Sequence, residues 1–88
     1  MEETLVLKNR LGLHARAAAK FVHAATSFQS RILITKDGDE VDGKSILGLL
    51  LLAAGRGAQL HVRVEGSDEE AALAALRDLV ERKFDEAE

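Results

Sequence analysis

The sequence predicts an α+β fold in which helices cover one face of a four-stranded mixed sheet, in the order βαββαβα. Residues 59–65 alternate between polar and apolar side chains, as a strand does when only one face of its sheet is buried. An Asp-Gly pair at positions 37 and 38 separates two further strand-like segments, which is typical of a β-hairpin. The 88 residues are enough for one domain, residues 1–88, and too few for two.

The first half of the chain is predicted to form a strand, a helix and the hairpin. Leu5–Leu7 has the composition of a short strand. Apolar residues at helical spacing follow it and predict a helix that ends near Ser27. The expected buried face of this helix consists of Ala18, Phe21, Val22 and Ala25. Residues 31–35 and 40–42 are the two strands of the hairpin.

The second half is predicted to form a short helix, the alternating strand and a final helix. Ser45 is a suitable N-cap for the short helix, and Gly55 and Gly57 bracket its exit. Ser67 and Glu70 form a capping-box pattern at the start of the final helix. The expected inward face of the final helix consists of Leu73, Leu76, Val80 and Phe84.

The short second helix has more apolar side chains than one buried face requires. An ordinary buried stripe would consist of Ile46, Leu49, Leu52 and Ala53. Leu47, Leu50 and Leu51 are apolar as well. A contiguous exposed apolar patch most often marks a protein-docking surface, while deep burial or a dimer contact would also account for the surplus.

The composition excludes several classes of protein. Without cysteine the chain can form neither a disulfide nor a thiolate metal site, and a reducing compartment, the cytoplasm, is expected. A formal net charge of −3 and only three aromatic residues argue against a nucleic-acid surface. No leader sequence is apparent, and the longest apolar run, residues 46–54, is too short to span a bilayer. His23 and His61 have no carboxylate pair at metal spacing, so no metal is assigned to them.

A histidine and an arginine lie two residues apart where the first strand gives way to the first helix. The first turn of a helix has backbone N–H groups without internal partners and a partial positive charge, so it favours an anion. Arg16 adds a planar, permanently charged group that matches phosphate oxygens. We therefore predict that His14 carries a phosphoryl group, whose oxygens are bound by Arg16 and by the N–H groups of Ala15 and Ala17.

These residues resemble HPr, the histidine-containing phosphocarrier family of the bacterial phosphoenolpyruvate-dependent phosphotransferase system. The resemblance covers the whole chain and rests on Gly-Leu-His-Ala-Arg at 12–16, on Lys44-Ser45-Ile46, and on the order of the elements. It implies an open-faced sandwich with a mainly antiparallel sheet. It also implies that His14 accepts a phosphoryl group on Nδ1 from phosphorylated enzyme I. The group then passes to a IIA protein or domain, in sugar uptake or in a regulatory nitrogen-type branch.

The same resemblance implies a carrier with a phosphohistidine intermediate rather than an enzyme, with no cofactor, and a monomer. Because the matching serine is phosphorylated in some members, Ser45 is a candidate regulatory site for a serine kinase and phosphorylase, although capping alone would also explain it. Members usually have proline where this chain has Ala17, which loosens the turn and adds an N–H group. The implied partner-docking residues are Leu47, Leu50, Leu51, Lys20 and His23.

Two other functions stay open. Split βαβ folds of this size often bind small effectors, so a ligand-binding regulatory module is the alternative, although no set of residues requires a pocket. A silent relative that binds a transcription factor through the same face is disfavoured by the presence of His14.

Overall fold

The computed structural model describes all 88 residues, and its elements follow the predicted order. The strands are β1 (Glu2–Val6), β2 (Arg31–Lys36), β3 (Asp39–Asp42) and β4 (Gln59–Glu65). The helices are α1 (Ala15–Thr26), α2 (Ile46–Leu51) and α3 (Glu69–Glu81), followed by a short 3₁₀-type turn at Lys83–Asp85. None of the helices combines the length and the apolar character that crossing a membrane would require.

The four strands form one sheet in the order β1-β4-β2-β3. The predicted α+β fold is confirmed, with the correction that the sheet is antiparallel throughout rather than mixed. The reason lies in the strand order. The two strands that α1 connects, β1 and β2, run in the same direction, but β4 lies between them and pairs antiparallel with both. Strands that run in the same direction, β1 with β2 and β3 with β4, are therefore never adjacent.

The helices cover one face of the sheet, and the other face is open. In β4, Leu60, Val62 and Val64 are fully buried, while His61 and Glu65 are exposed, so the predicted alternation is confirmed. α3 packs against β4 and β1, whereas α1 packs mainly against α2 and α3. The buried face of α1 consists of Ala17, Ala18, Phe21 and Ala25. Val22 is only half-buried, so this face lies closer to the start of the helix than predicted.

The N-cap predicted for α2 is confirmed, but its buried stripe is only half right. Ser45 Oγ accepts a hydrogen bond from the Gly48 N–H at 3.0 Å. Within the predicted stripe, only Leu49 and Leu52 are buried, while Ile46, the first residue of the helix, and Ala53, which lies beyond its end, are exposed. The helix ends before the glycines that were expected to bracket its exit. The chain leaves the helix at Ala53, which adopts the left-handed conformation at φ 49°.

The capping box predicted for α3 is wrong. The N-cap residue is Asp68, and Ser67 makes no side-chain hydrogen bond to the helix. Asp68 instead accepts hydrogen bonds from the N–H groups of Gln29 and Ser30 and from the Ser30 hydroxyl. Gly66 makes this possible, because a Cβ there would lie 2.6 Å from Ser30 Oγ. The turn before α3 therefore packs closely against the residues that precede β2, and Asp68 accepts three hydrogen bonds there.

Phe84 is buried as predicted, but it does not belong to α3. It lies in the turn Lys83–Asp85, whose three residues have φ values of 57°, 55° and 63°. Left-handed backbone costs an ordinary residue about 1–2 kcal/mol. Burial of the Phe84 ring and a 2.6 Å hydrogen bond from Lys20 Nζ to its carbonyl oxygen hold the turn in this conformation. The turn reverses the chain and directs the C-terminal segment towards the start of α1.

Candidate functional site

His14 is the N-cap residue of α1 and has extended backbone, with φ −74° and ψ 177°. The first hydrogen bond of the helix runs from the Ala18 N–H to the His14 carbonyl oxygen at 2.8 Å. The N–H groups of Ala15, Arg16 and Ala17 therefore have no acceptor in the protein. The helix begins where the sequence predicts. Of the three unpaired donors, those of the exposed Ala15 and Arg16 line the cleft beside an imidazole that is 27% exposed, whereas Ala17 is fully buried.

The loop that carries His14 is fixed to the segment that follows α2. Gly12 has φ 62°, and a Cβ at this position would lie only 2.4 Å from the Ala54 carbonyl oxygen. The same carbonyl accepts a hydrogen bond from the Leu13 N–H at 2.9 Å, and the Leu13 side chain is buried. This close packing fixes the position and direction of the Gly12–Leu13 backbone relative to Ala54. The position of His14 therefore depends on both α1 and the exit of α2.

Arg16 is exposed and forms no ion pair or side-chain hydrogen bond, so its guanidinium group is available to a ligand. Together with His14 it lines an open cleft of about 590 Å³. The cleft thus combines a nucleophilic ring, a free cation and unpaired backbone donors. This combination can bind a phosphoryl group and exchange it with a second protein.

Glu86 also lines this cleft, and sequence reasoning missed it. Its Oε2 lies 2.5 Å from His14 Nε2, and its Oε1 accepts a hydrogen bond from Asn9 Nδ2 at 2.9 Å. Burial by itself raises the pKa of the Glu86 carboxyl, but the hydrogen bonds from Asn9 and His14 outweigh it and lower the pKa below its ordinary value of 4.5. The group is therefore a carboxylate at neutral pH.

The residues expected to dock partners lie in two places. Lys20 and His23 line a groove of about 720 Å³ between α1 and α3, together with Arg16. Lys20 is half-buried and bonded to the C-terminal turn, whereas His23 is exposed. The three surplus leucines of α2 lie outside this groove and are exposed: Leu47 by 68%, Leu50 by 38% and Leu51 by 73%. Deep burial of the surplus leucines, one of the alternatives left by the sequence, is therefore excluded.

The remaining histidine, His61, lies on the open face of the sheet and contacts Glu2 at 2.5 Å. The structure contains no cluster of three or more histidine or carboxylate side chains that would hold a metal ion.

Comparison with known proteins shows to which family the chain belongs. The family model described as the PTS HPr component phosphorylation site matches residues 1–82. The chain belongs to the HPr family. A relative from Xylella fastidiosa, named phosphocarrier protein HPr, is 46% identical over 86 residues, which cover 98% of this chain and 97% of the relative. Membership of the HPr family makes the chain a phosphocarrier component of the phosphotransferase system, and it favours this role over the ligand-binding module.

Solved structures of HPr proteins have the same fold. HPr-C-His from Thermoanaerobacter tengcongensis superimposes with a TM-score of 0.96 at 45% identity, covering 100% of this chain and 99% of the other. A structure described as an HPr dimer from the same organism gives a TM-score of 0.80 at 46% identity, covering 98% and 99%. The open-faced sandwich implied by the resemblance is thereby confirmed. The expected monomer stays a prediction.

Proposed function

We propose that His14 is the phosphoryl acceptor of this HPr protein. It takes the group from phosphorylated enzyme I, which phosphoenolpyruvate charges, and passes it to a IIA protein or domain. The observation that supports this assignment most directly is the position of the imidazole, at the N-cap of α1 beside three unpaired N–H groups and the free Arg16 guanidinium. The proposal covers a sugar-uptake branch and a regulatory nitrogen-type branch alike, because the same chemistry serves both.

In phosphoryl transfer the protein mainly positions the reacting groups and stabilises the charge on the phosphoryl oxygens. The lone pair of His14 Nδ1 attacks phosphorus, the new N–P bond forms, and the bond between phosphorus and its donor breaks. Arg16 and the N–H groups of Ala15 and Ala17 bind the phosphoryl oxygens. Because Arg16 is exposed, solvent weakens its attraction to the oxygens. Moderate binding suits a carrier, since the group must leave again when a IIA acceptor docks.

The direct test is to incubate the protein with enzyme I and phosphoenolpyruvate and to measure its mass. The wild type should gain one acid-labile phosphoryl group, and His14→Ala should gain none. His61→Ala is the matched control, because His61 is exposed and lies on the open face of the sheet, away from His14. This variant should still be labelled. An acid-labile group on His14→Ala would contradict the assignment.

We also propose that Ser45 is a regulatory phosphorylation site for a serine kinase and phosphorylase. Its hydroxyl caps α2, and Ser45 lies two residues before the exposed Leu47. A phosphate at this helix start would be stabilised locally, but it would add charge and bound water to an apolar docking surface. The modification would therefore weaken docking without unfolding the helix.

Variants of Ser45 separate charge from capping. Ser45→Asp should keep the fold and lose affinity for enzyme I, whereas Ser45→Asn should cap the helix without charge and keep its affinity. Isothermal titration calorimetry measures both affinities. An unchanged affinity of Ser45→Asp would argue against the switch.

A further inference from the structure

Both oxygens of the Glu86 side chain are engaged, which fixes the direction of the carboxylate. Oε2 meets His14 Nε2 at 2.5 Å, and Oε1 accepts from Asn9 Nδ2 at 2.9 Å. Asn9 is fully buried, and its Nδ2 also donates to the Gly12 carbonyl oxygen at 2.7 Å. Asn9 therefore ties the carboxylate to the same loop that carries His14. The Glu86 side chain is only 16% exposed.

The backbone around Glu86 is held on both sides. The Glu86 N–H donates to the Lys83 carbonyl oxygen at 3.0 Å, which continues the left-handed turn anchored by the buried Phe84 ring. Beyond Glu86, the Arg10 N–H donates to the Glu88 carbonyl oxygen, and Arg10 Nε lies 3.2 Å from a Glu88 carboxylate oxygen. These contacts hold residues 86–88 along the cleft and keep the Glu86 side chain beside the His14 imidazole.

The contact determines which nitrogen of His14 has a proton. A neutral imidazole has one N–H and one lone pair, and a carboxylate can only accept. Nε2 must therefore hold the proton when it faces Glu86, and Nδ1 is left with the lone pair. We propose that Glu86 is a positioning residue for His14, which fixes the Nε2–H tautomer and so presents Nδ1 as the phosphoryl-accepting atom. This inference rests on the proposed function, since it takes His14 as the acceptor.

The carboxylate has a second effect during transfer. When the Nδ1 lone pair forms the N–P bond and the bond from phosphorus to its donor breaks, the ring becomes positively charged because Nε2 keeps its proton. Glu86 faces this charge directly and stabilises it, as buried carboxylates do for imidazolium in other proteins. When the phosphoryl group moves on, the electron pair of the N–P bond returns to Nδ1. The ring is then neutral again with the same tautomer, and no proton has to leave the site.

The test combines the tautomer with the rate of transfer. ¹⁵N NMR of the unphosphorylated wild type should show the Nε2–H tautomer of His14, and Glu86→Ala should show a mixture of both tautomers. Rapid-quench phosphorylation by phosphorylated enzyme I should be slower in Glu86→Ala by roughly 10- to 100-fold, the range found for carboxylates that orient metal-bound histidines. Glu81→Ala is the control, because it removes a nearby carboxylate that pairs only with Lys8 on the surface. It should change neither measurement.

The outcomes distinguish this inference from the proposed function. A mixture of tautomers in the wild type would overturn the positioning role. So would a Glu86→Ala variant with an unchanged tautomer or an unchanged rate, and so would an equal effect of Glu81→Ala. If the wild type accepts no phosphoryl group on His14, the proposed function itself fails. That result does not depend on the NMR measurement.

Discussion

At the scale of single residues, Asp68 shows how one carboxylate joins two distant elements. Its oxygens accept from the Ser30 hydroxyl at 2.5 Å and from the N–H groups of Gln29 and Ser30 at 2.8 and 2.9 Å. These hydrogen bonds, led by that of the Ser30 hydroxyl, lower the pKa of Asp68 below its ordinary value of 3.8. The ionised carboxylate is therefore more favourable in the folded protein than in the unfolded chain.

The stability that Asp68 contributes depends on pH with a defined sign. The pKa of Asp68 is lower in the folded protein than in the unfolded chain. Its contribution to stability is therefore complete above about pH 3.8 and is lost as the pH falls through the pKa of the folded state. Asp68→Asn should have a lower free energy of unfolding than the wild type at about pH 7, and this difference should narrow towards about pH 2. Urea unfolding of both proteins at several pH values measures the difference. A difference of constant size down to the lowest pH would contradict this explanation.

Ala17 stands where the resemblance to the family leads us to expect proline, and its N–H has no acceptor in the protein although the residue is fully buried. Ala17→Pro should fold, because proline suits the first turn of a helix, and it should gain about 0.4–1 kcal/mol of stability where its fixed φ fits. It should also lose one donor to the phosphoryl oxygens, so the phosphohistidine should decay faster, by up to about tenfold. The loss of acid-labile phosphate over time measures the lifetime. An equal lifetime in both proteins would mean that this N–H does not bind phosphate.

The sequence reveals only the local part of the site. His14 and Arg16 are predictable because they lie in one turn, and the start of a helix has known electrostatics. Glu86 is not, since it lies 72 residues from His14 and reaches it through the left-handed turn at Lys83–Asp85. That turn contains no glycine or asparagine to signal it. The burial of Phe84 determines it, and burial depends on the whole fold.

At the scale of elements, the loop that carries His14 depends on one glycine. Gly12→Ala should cost roughly 1–3 kcal/mol for its positive φ, and roughly 1–3 kcal/mol more because its Cβ would overlap the backbone at Ala54 and Gly55. Gly57 is the matched control, since its φ is 86° and no atom lies within 4 Å of an added Cβ. Gly57→Ala should therefore show only the first of the two effects. Urea unfolding gives both values, and equal losses would contradict the close approach.

Elements are predictable where a single local pattern determines them. The strand β4 has the predicted bounds because its alternation reflects one buried face, and the hairpin forms at Asp37 and Gly38, which both have positive φ. The start of α3 is not predictable in the same way. Its capping box competes with the tertiary contact between Asp68 and the start of β2, and the contact prevails. The strand order likewise depends on long-range pairing that no local pattern encodes.

At the scale of the whole molecule, the exposed apolar surface is concentrated on one short helix. Seven large apolar side chains are exposed, and four of them belong to α2: Ile46, Leu47, Leu50 and Leu51. The same helix contributes Leu49 to the core with no exposed surface. One side of this six-residue helix packs into the core and the other is exposed to solvent. Substitutions on the buried side should therefore change stability, and substitutions on the exposed side should change binding.

The final prediction compares the two sides of α2. Leu49→Ala should cost about 2–5 kcal/mol of unfolding free energy, because it opens a cavity in the core. Leu47→Ala combined with Leu51→Ala should change stability by no more than about 0.5 kcal/mol per site. The double variant should nevertheless lose at least about tenfold in affinity for enzyme I, as truncation of central interface residues does.

Urea unfolding and calorimetry with enzyme I measure the two effects on the same samples. Val6→Ala is the control for binding, since Val6 is 39% exposed but lies on the open face of the sheet, away from the helices. Its affinity should be unchanged. If the double variant binds as tightly as the wild type, α2 is not the docking surface, and its exposed leucines require a different partner, such as a second copy of the chain. Sedimentation of the wild type at increasing concentration would then detect that dimer.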